Sequence, residues 1–439
     1  MTTPVRNPDL TSSEVMTKRA WWLVVLNVLI PGSAQVLAGN RKLGRFGLGA
    51  TILLWVILVA LLVGWFAARE FTLTLLTNYW VLWIVQLGLV FYAVLWLILT
   101  FDTLRLTRLI KAKPGARPLV AGLTVLALVA TAGTAAYGAY LTGVGRGAIQ
   151  SIFGGGDIAE PIDGRYNIML LGGDAGPDRM GLRPDSISVA SIDAETGAAT
   201  MIGIPRNLYD APFSEGSPLY EEYPTGYDCG DDCLISYLYT YGEEHPELYP
   251  DAASQGSTPG IEAMRDAVEG VTGLTMQYYV LIDMQGFADL INALGGVTIE
   301  VPERVVLGIN GKKPVGAIEA GTQQMDGATA LWYVRTRYDT TDFARMERQR
   351  QIQTAILTQF EPSNVLSKFQ AVAEAGAQVV KTDVPQGMLG RFVELAGKTQ
   401  RLPITDLELV PPQIDNVDPD FEEIHQLVAD ATAPAAPAG

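Results

Sequence analysis

Tyr166-Asn167-Ile168-Met169-Leu170-Leu171-Gly172-Gly173-Asp174 is a short apolar run that stops at two glycines and an acid. A run of this length, closed by glycines, predicts a buried strand whose end turns tightly and lets the backbone approach a ligand. Downstream, Ser186–Ile192 and Thr200–Ile204 read as the next strands, with Gly197 marking the turn between them. Pro259–Thr272 then has helical periodicity, Gln277–Ile282 reads as a strand, Gly286–Ala293 as a helix, Val297–Val301 as a strand and Gly327–Trp332 as a helix start. A long amphipathic helix is predicted over Phe343–Phe360, followed by helical stretches around 363–380 and 385–398. Strands interleaved with helices predict an α/β domain: a central, mostly mixed β-sheet flanked by helices as an α/β/α sandwich.

Upstream the chemistry changes. From residue 150 onward there are 43 Asp and Glu against 18 Lys and Arg, a net −25, whereas the first 149 residues hold 13 Lys and Arg against 4 acids, a net +9. Phe46–Ala67, Trp80–Phe101 and Leu119–Leu141 are nearly charge-free, and each is long enough to cross a hydrocarbon core of roughly 30 Å. The chain therefore reads as an all-α transmembrane anchor of three to four helices over 1–141, a linker over 142–160, a folded domain over 161–425 and an Ala/Pro tail over 426–439. The loop 102–118 carries Arg105, Arg108, Lys111, Lys113 and Arg117, which places it in the cytoplasm and the folded domain outside. A fourth apolar run, 20–38, is interrupted by Pro31-Gly32-Ser33 and either crosses or re-enters; the basic N-terminus favours re-entry. No intramembrane acid or lysine pair suggests transport. The acidity of the outer domain disfavours nucleic acid as a partner.

Within that acidic domain, five arginines fall between positions 335 and 350: Arg335, Arg337, Arg345, Arg348 and Arg350. Like charges packed this closely call for an anionic partner, and guanidinium forks favour a phosphate or pyrophosphate. If extended, Arg335 and Arg337 share a face, and Arg345, Arg348 and Gln349 share one on a helix; Arg206 follows another strand end and completes the set. Asp174 and Asp185 stand at adjacent strand ends, where they hold Mg²⁺ (or Mn²⁺) together with phosphate oxygens, or else cap a turn and pair with Arg183. With only His245 and His425 in the chain, histidine-based nucleophilic catalysis is disfavoured. Cys229 and Cys233 predict a local disulfide across a loop in an oxidising compartment.

The ordered set Leu-Leu-Gly-Gly-Asp174, Arg183-x-Asp185-Ser, Ile-Pro-Arg206, Leu-Gly-Gly-Val297, Met-Asp-Gly-x-x-Ala-Leu331, Tyr-Val-Arg-Thr-Arg337 and Asp342-x-x-Arg345-x-x-Arg348-Gln349 closely resembles the LytR-CpsA-Psr family over about 165–360. The resemblance implies a membrane-tethered phosphotransferase that moves a glycopolymer from a polyprenyl-pyrophosphate lipid to a peptidoglycan sugar hydroxyl. It implies Mg²⁺ on Asp174 and Asp185, and pyrophosphate held by Arg183, Arg206, Arg335, Arg337, Arg345, Arg348 and Gln349. Asp342 is implied as the acid that orients an arginine or accepts the acceptor's proton. A non-catalytic lipid-glycan binding or regulatory module is the alternative. The several spans and the cysteine loop are similar to actinobacterial members, implying an arabinogalactan or related polymer. Two positions depart from the family pattern: Asn207 stands where an acid is common and Leu234 where a base is common, implying a weaker clamp on that side. Eight tyrosines between Tyr209 and Tyr249 are expected to pack rather than to stack on sugars.

Overall fold

The computed structural model describes residues 5–153, 158–174, 183–359 and 380–433. It divides into two compact units, Met1–Arg146 and Gly147–Gly439.

In the first unit, three helical stretches are long and apolar enough to cross a membrane: Arg41–Ala67, Tyr79–Lys111 and Ala116–Gly147. Large apolar side chains such as Trp55, Leu62 and Ile84 are exposed along them, a surface that water disfavours and hydrocarbon accepts. Segment 20–38 is not one helix. Helix α1 (Ser13–Leu29) ends before Pro31, and α2 (Ser33–Ala38) follows the break. Gly32 makes that break with φ +95°, and a side chain there would meet the backbone nitrogen of Leu48 at 2.5 Å. Both arms rest on one long helix, Tyr79–Thr107. Going in, Arg19 donates to the Leu106 carbonyl and the Asn27 amide to Thr100; coming back, Gln35 donates to the Leu99 carbonyl at 2.8 Å and Gly39 packs on Leu106. The segment thus turns back on itself beside the last two turns of that helix. Residues 142–152, read from their glycines as the start of a tether, instead continue the helix Thr134–Ile152.

In the second unit the expected mixed sheet is present. Its strands are β1 (Arg165–Asp174), β2 (Arg183–Asp193), β3 (Ala199–Ile204), β4 (Tyr278–Asp283), and, from further along, Val380–Thr382 and Thr405–Glu408. The six strands lie in the order Thr405–Glu408, β3, β2, β1, β4, Val380–Thr382. Of the five neighbouring pairs in that order the first and fourth are parallel and the rest antiparallel: β1 is antiparallel to β2 and parallel to β4, β3 is antiparallel to β2 and parallel to Thr405–Glu408, and β4 is antiparallel to Val380–Thr382. Side chains alternate between two covered faces. Met169, Leu171, Val189 and Ile202 pack with Met264 and Val268 of the helix Pro259–Thr272, while Ile168, Ala190, Met201 and Tyr278 pack with Met388 and Leu395. Two short two-stranded ribbons, including Val297–Val301 with Gly321–Met325, form a separate cluster with Tyr333, Val334 and Ile352.

The chain's final described element corrects the expectation of a tail from residue 426. Phe421–Thr432 is a helix capped by Asp420, with Ile424 and Val428 buried on the sheet face of the first cluster. Their spacing of four residues gives one apolar stripe, sufficient for docking. The helical stretch expected around 363–380 lies outside the described residues, apart from the strand that begins at Val380. The tyrosine-rich segment packs as expected: Tyr227 and Tyr239 are buried, and Tyr223, Tyr227 and Tyr241 meet edge to face or tilted. Cys229 and Cys233 are disulfide-bonded, Cα to Cα 5.2 Å, in agreement with the sequence reading.

Candidate active site

The site begins with a register. Ile187 of β2 lies opposite Ile204 of β3, so two residues further along the ladder Asp185 comes opposite Arg206, beyond the end of β3. On its other edge β2 is irregular: Gly172 pairs with Ser186 but Gly173 with Pro184, leaving Asp185 as the extra residue of a bulge. Pro184 has no N–H to give the ladder, and a bulge of this kind re-aims the side chain of the unpaired residue. The Arg206 Nη1 donates to Asp185 Oδ1 at 2.5 Å.

A second element meets this strand end. A helix of this unit, which we label αR (Asp342–Gln359), starts at Asp342, where the positive end of the helix dipole favours a carboxylate. Asp342 collects three guanidinium groups: Arg206 Nε at 3.2 Å, Arg345 Nη2 at 3.0 Å and Arg337 Nε at 3.6 Å. Arg345 lies one helical turn on, as i to i+3 spacing requires, and is 2% exposed. Burial works to raise the Asp342 pKa, but the neighbouring Arg345 and Arg206 outweigh it and hold the carboxyl below its ordinary value. For Arg206, burial opposes the charge, whereas Asp185 and Asp342 favour it more strongly and raise its pKa. Arg345 is shifted down, chiefly by burial, yet guanidinium stays charged at any physiological pH.

Among the described residues, three arginines against two carboxylates leave one positive charge in excess. Two polar atoms in the cluster have no hydrogen-bond partner among the described residues, Arg345 Nε and Asp342 Oδ1, although both are buried. Such atoms are costly in a closed core; at the edge of a cation-rich cleft the Arg345 Nε donor suits a site completed by an anion, whereas the Asp342 Oδ1 acceptor faces Arg337 Nε at 3.6 Å. Gln349 lines a small cleft beside Asp185 and Ser186.

Not every expected residue joins this cluster. Arg348 is directed inward: its Nε donates to the Tyr333 carbonyl at 2.9 Å and its Nη2 to that of Thr336. It braces the end of the helix Gly327–Arg335 against αR, and its expected place among the pyrophosphate ligands is corrected to that structural one. Arg335 is the last residue of that helix rather than part of an extended segment, so the face it was expected to share with Arg337 does not form. Tyr333, fully buried, and Val334 hold this turn helical by packing into the second cluster. Arg183 opens β2 and is exposed, stacked over Tyr237. Asp174 ends β1 opposite Arg183 in the ladder; its side chain lies outside what is described. Among the described residues no group of three or more metal-binding side chains occurs.

Sequence reading missed two features. Arg350, grouped with the anion-seeking arginines, is instead paired with Glu408 at 2.8 Å across β3. Gly203 makes room for that pair, since a Cβ there would sit 2.1 Å from the Glu408 carboxylate. The Ile-Gly-Ile-Pro-Arg206 motif carried the glycine signal, but its meaning depended on a strand 200 positions later. Tyr237 had no signal of its own among eight tyrosines.

The model of the LytR_cpsA_psr family matches residues 156–420. The cell wall biosynthesis protein LcpA of Corynebacterium glutamicum is 28% identical over 351 residues, covering 73% of this chain and 64% of that protein. A polyisoprenyl-teichoic acid–peptidoglycan teichoic acid transferase, TagU of Halalkalibacterium halodurans, is 27% identical over 222 residues, covering 50% of this chain and 61% of its own. The chain thus spans less than two thirds of the length of these relatives. The crystal structure of TagV from Bacillus subtilis is similar with a TM-score of 0.45 and 20% identity, over 63% of this chain and 98% of that one.

Proposed function

Because the chain belongs to the LytR-CpsA-Psr family, we propose that it is a membrane-anchored transferase that ligates a cell-wall glycopolymer, carried on a polyprenyl pyrophosphate, to a peptidoglycan sugar hydroxyl. The observation that supports this most directly is the convergence of Arg206, Arg337 and Arg345 on Asp342 with a cation in excess. In the proposed reaction the acceptor hydroxyl attacks the glycan-side phosphorus, the bridging P–O bond breaks, and the lipid leaves as its monophosphate, which takes up the hydroxyl proton. Charge grows on the bridging and non-bridging oxygens, and pre-aimed guanidinium groups stabilise it without a covalent enzyme intermediate. Asp342, with its lowered pKa, is a poor proton acceptor at neutral pH. Its role in this reading is to orient the arginines. Incubating the full chain with defined lipid-pyrophosphate glycans and a peptidoglycan acceptor tests the proposal: release of lipid phosphate coupled to a phosphodiester product supports it, and retention of intact lipid pyrophosphate overturns it.

Asp185 and Asp174 are the residues that would hold Mg²⁺ or Mn²⁺. The fit rests on hard oxygen donors at two adjacent strand ends, one of them lifted from the ladder by the bulge, since Mg²⁺ commonly takes one or two carboxylates and completes its shell with phosphate and water. When bound, the ion would supply further neutralisation of the pyrophosphate. Asp185→Ala is expected to abolish transfer with the domain still folded, because Arg206 keeps Asp342 as a partner. Chelation should mimic the loss. Full activity of that variant in chelator would leave Asp185 only its ion pair.

The proposal also fixes a topology. The basic loop 102–118 and the N-terminus lie in the cytoplasm, segment 20–38 re-enters from that side, and the α/β domain is extracytoplasmic. A single cysteine placed in 102–118, in a chain otherwise lacking accessible thiols, should resist an impermeant thiol reagent in intact cells, while one near residue 160 reacts. The reverse pattern would remove the envelope function.

A further inference from the structure

Arg183 is an exposed arginine at the start of β2 and has no carboxylate partner among the described residues. Its guanidinium carbon instead lies 4.5 Å from the centroid of the Tyr237 ring. An aromatic face holds a guanidinium through its π surface and leaves the in-plane N–H groups unused. A carboxylate partner would have consumed those donors and cancelled the charge. Stacking therefore fixes a cation in place while keeping it fully able to grip an oxyanion.

The ring itself is held by the site. Tyr237 lies in the tyrosine-rich segment, just after the Cys229–Cys233 disulfide loop, and the residue before it, Ser236, donates its amide to the Arg206 carbonyl at 3.2 Å. Ile235 donates to the Leu208 carbonyl at 3.0 Å and is fully buried, as is Leu238. One four-residue stretch thus anchors on the backbone of Arg206 and carries the platform for Arg183. Leu234, which stands where a base is common in the family pattern, immediately precedes that stretch.

We infer that Tyr237 is a positioning residue for the pyrophosphate site: it holds Arg183, an oxyanion ligand two residues before Asp185 on β2, without neutralising it. The inference rests on the pyrophosphate reading of the cluster. It is tested in the full chain with a polyprenyl pyrophosphate as probe, comparing Tyr237→Phe, Tyr237→Leu, Arg183→Ala and the double variant Tyr237→Leu/Arg183→Ala. Loss of the ring should weaken binding on the order of two- to fivefold, the range of a partly exposed cation–π contact, and Phe should restore it. In the Arg183→Ala background the Tyr237→Leu change should have no further effect, because the ring acts only through the guanidinium. Additive losses, or parent-like binding by Tyr237→Leu, in a parent that binds and turns over the lipid overturn this inference alone. A parent that neither binds nor turns it over overturns the pyrophosphate reading and this inference together.

Discussion

Arg345→Ala is expected to lower release of lipid phosphate on the order of a hundredfold and to weaken polyprenyl-pyrophosphate binding on the order of tenfold. Arg345 is nearly inaccessible to water, bonded to Asp342 through Nη2, and its Nε has no protein partner among the described residues. A charged donor held this way costs no reorganisation when a phosphate arrives, so its contact strengthens most where charge develops. Lysine should recover little, since an ammonium cannot bond Asp342 and an oxyanion along one rigid fork. Steady-state turnover with calorimetric binding separates the two effects. Parent-like turnover with only a lowered melting temperature would make Arg345 a structural residue and remove the centre of the functional reading.

Asp342→Asn should give the opposite pairing: turnover reduced on the order of a hundredfold, with binding of inorganic pyrophosphate unchanged or tighter. The carboxylate competes with the ligand for Arg206, Arg337 and Arg345; without it the cluster is more cationic and less ordered. Weaker binding in this variant would argue that Asp342 recruits the ligand through a metal or a proton instead. The stability difference has a defined pH course. Asp342 has a folded pKa below its unfolded value, so its contribution is complete above roughly pH 4 to 5 and is lost as pH falls through the folded pKa. Melting temperatures of parent and variant should therefore differ by a constant amount from about pH 5 to 9 and converge under acid.

How far the sequence carried the fold depended on the length of each element. β1 announced itself through an apolar run closed by glycines, β2 and β3 through apolar runs on either side of the turn at Gly197, and αR through its length. The buried residues of αR include Arg345, Arg348 and Arg350 beside Met346, Ile352 and Ala355, so the expected amphipathic stripe is not apolar. Three-residue strands such as Val305–Leu307 have too few positions to show a period. Tyr333 and Val334 favour strands by type, yet burial in the second cluster keeps them helical and so moves Arg335 away from its expected face. The spacing of Arg345, Arg348 and Gln349 correctly gave one side of a helix, but not depth: Arg345 meets a carboxylate, while Arg348, one turn further in, meets the two carbonyls of a helix end. Asp185 and Arg206 were legible as strand-end residues; that they face each other followed only from the register.

That register also governs which changes the hairpin can absorb. A slip of one position between β2 and β3 would exchange Val189 and Ile202 for Ala190 and Met201 across the two faces of the sheet, so the core resists it. A slip of two would keep the faces but set Asp185 against Leu208, which is fully buried. Length changes in the turn 194–198 must consequently be taken up within the turn itself. The alignment of the chemistry is inherited from the oil on either side of it, and drift in that turn during evolution can alter surface loops freely while leaving Asp185 and Arg206 face to face.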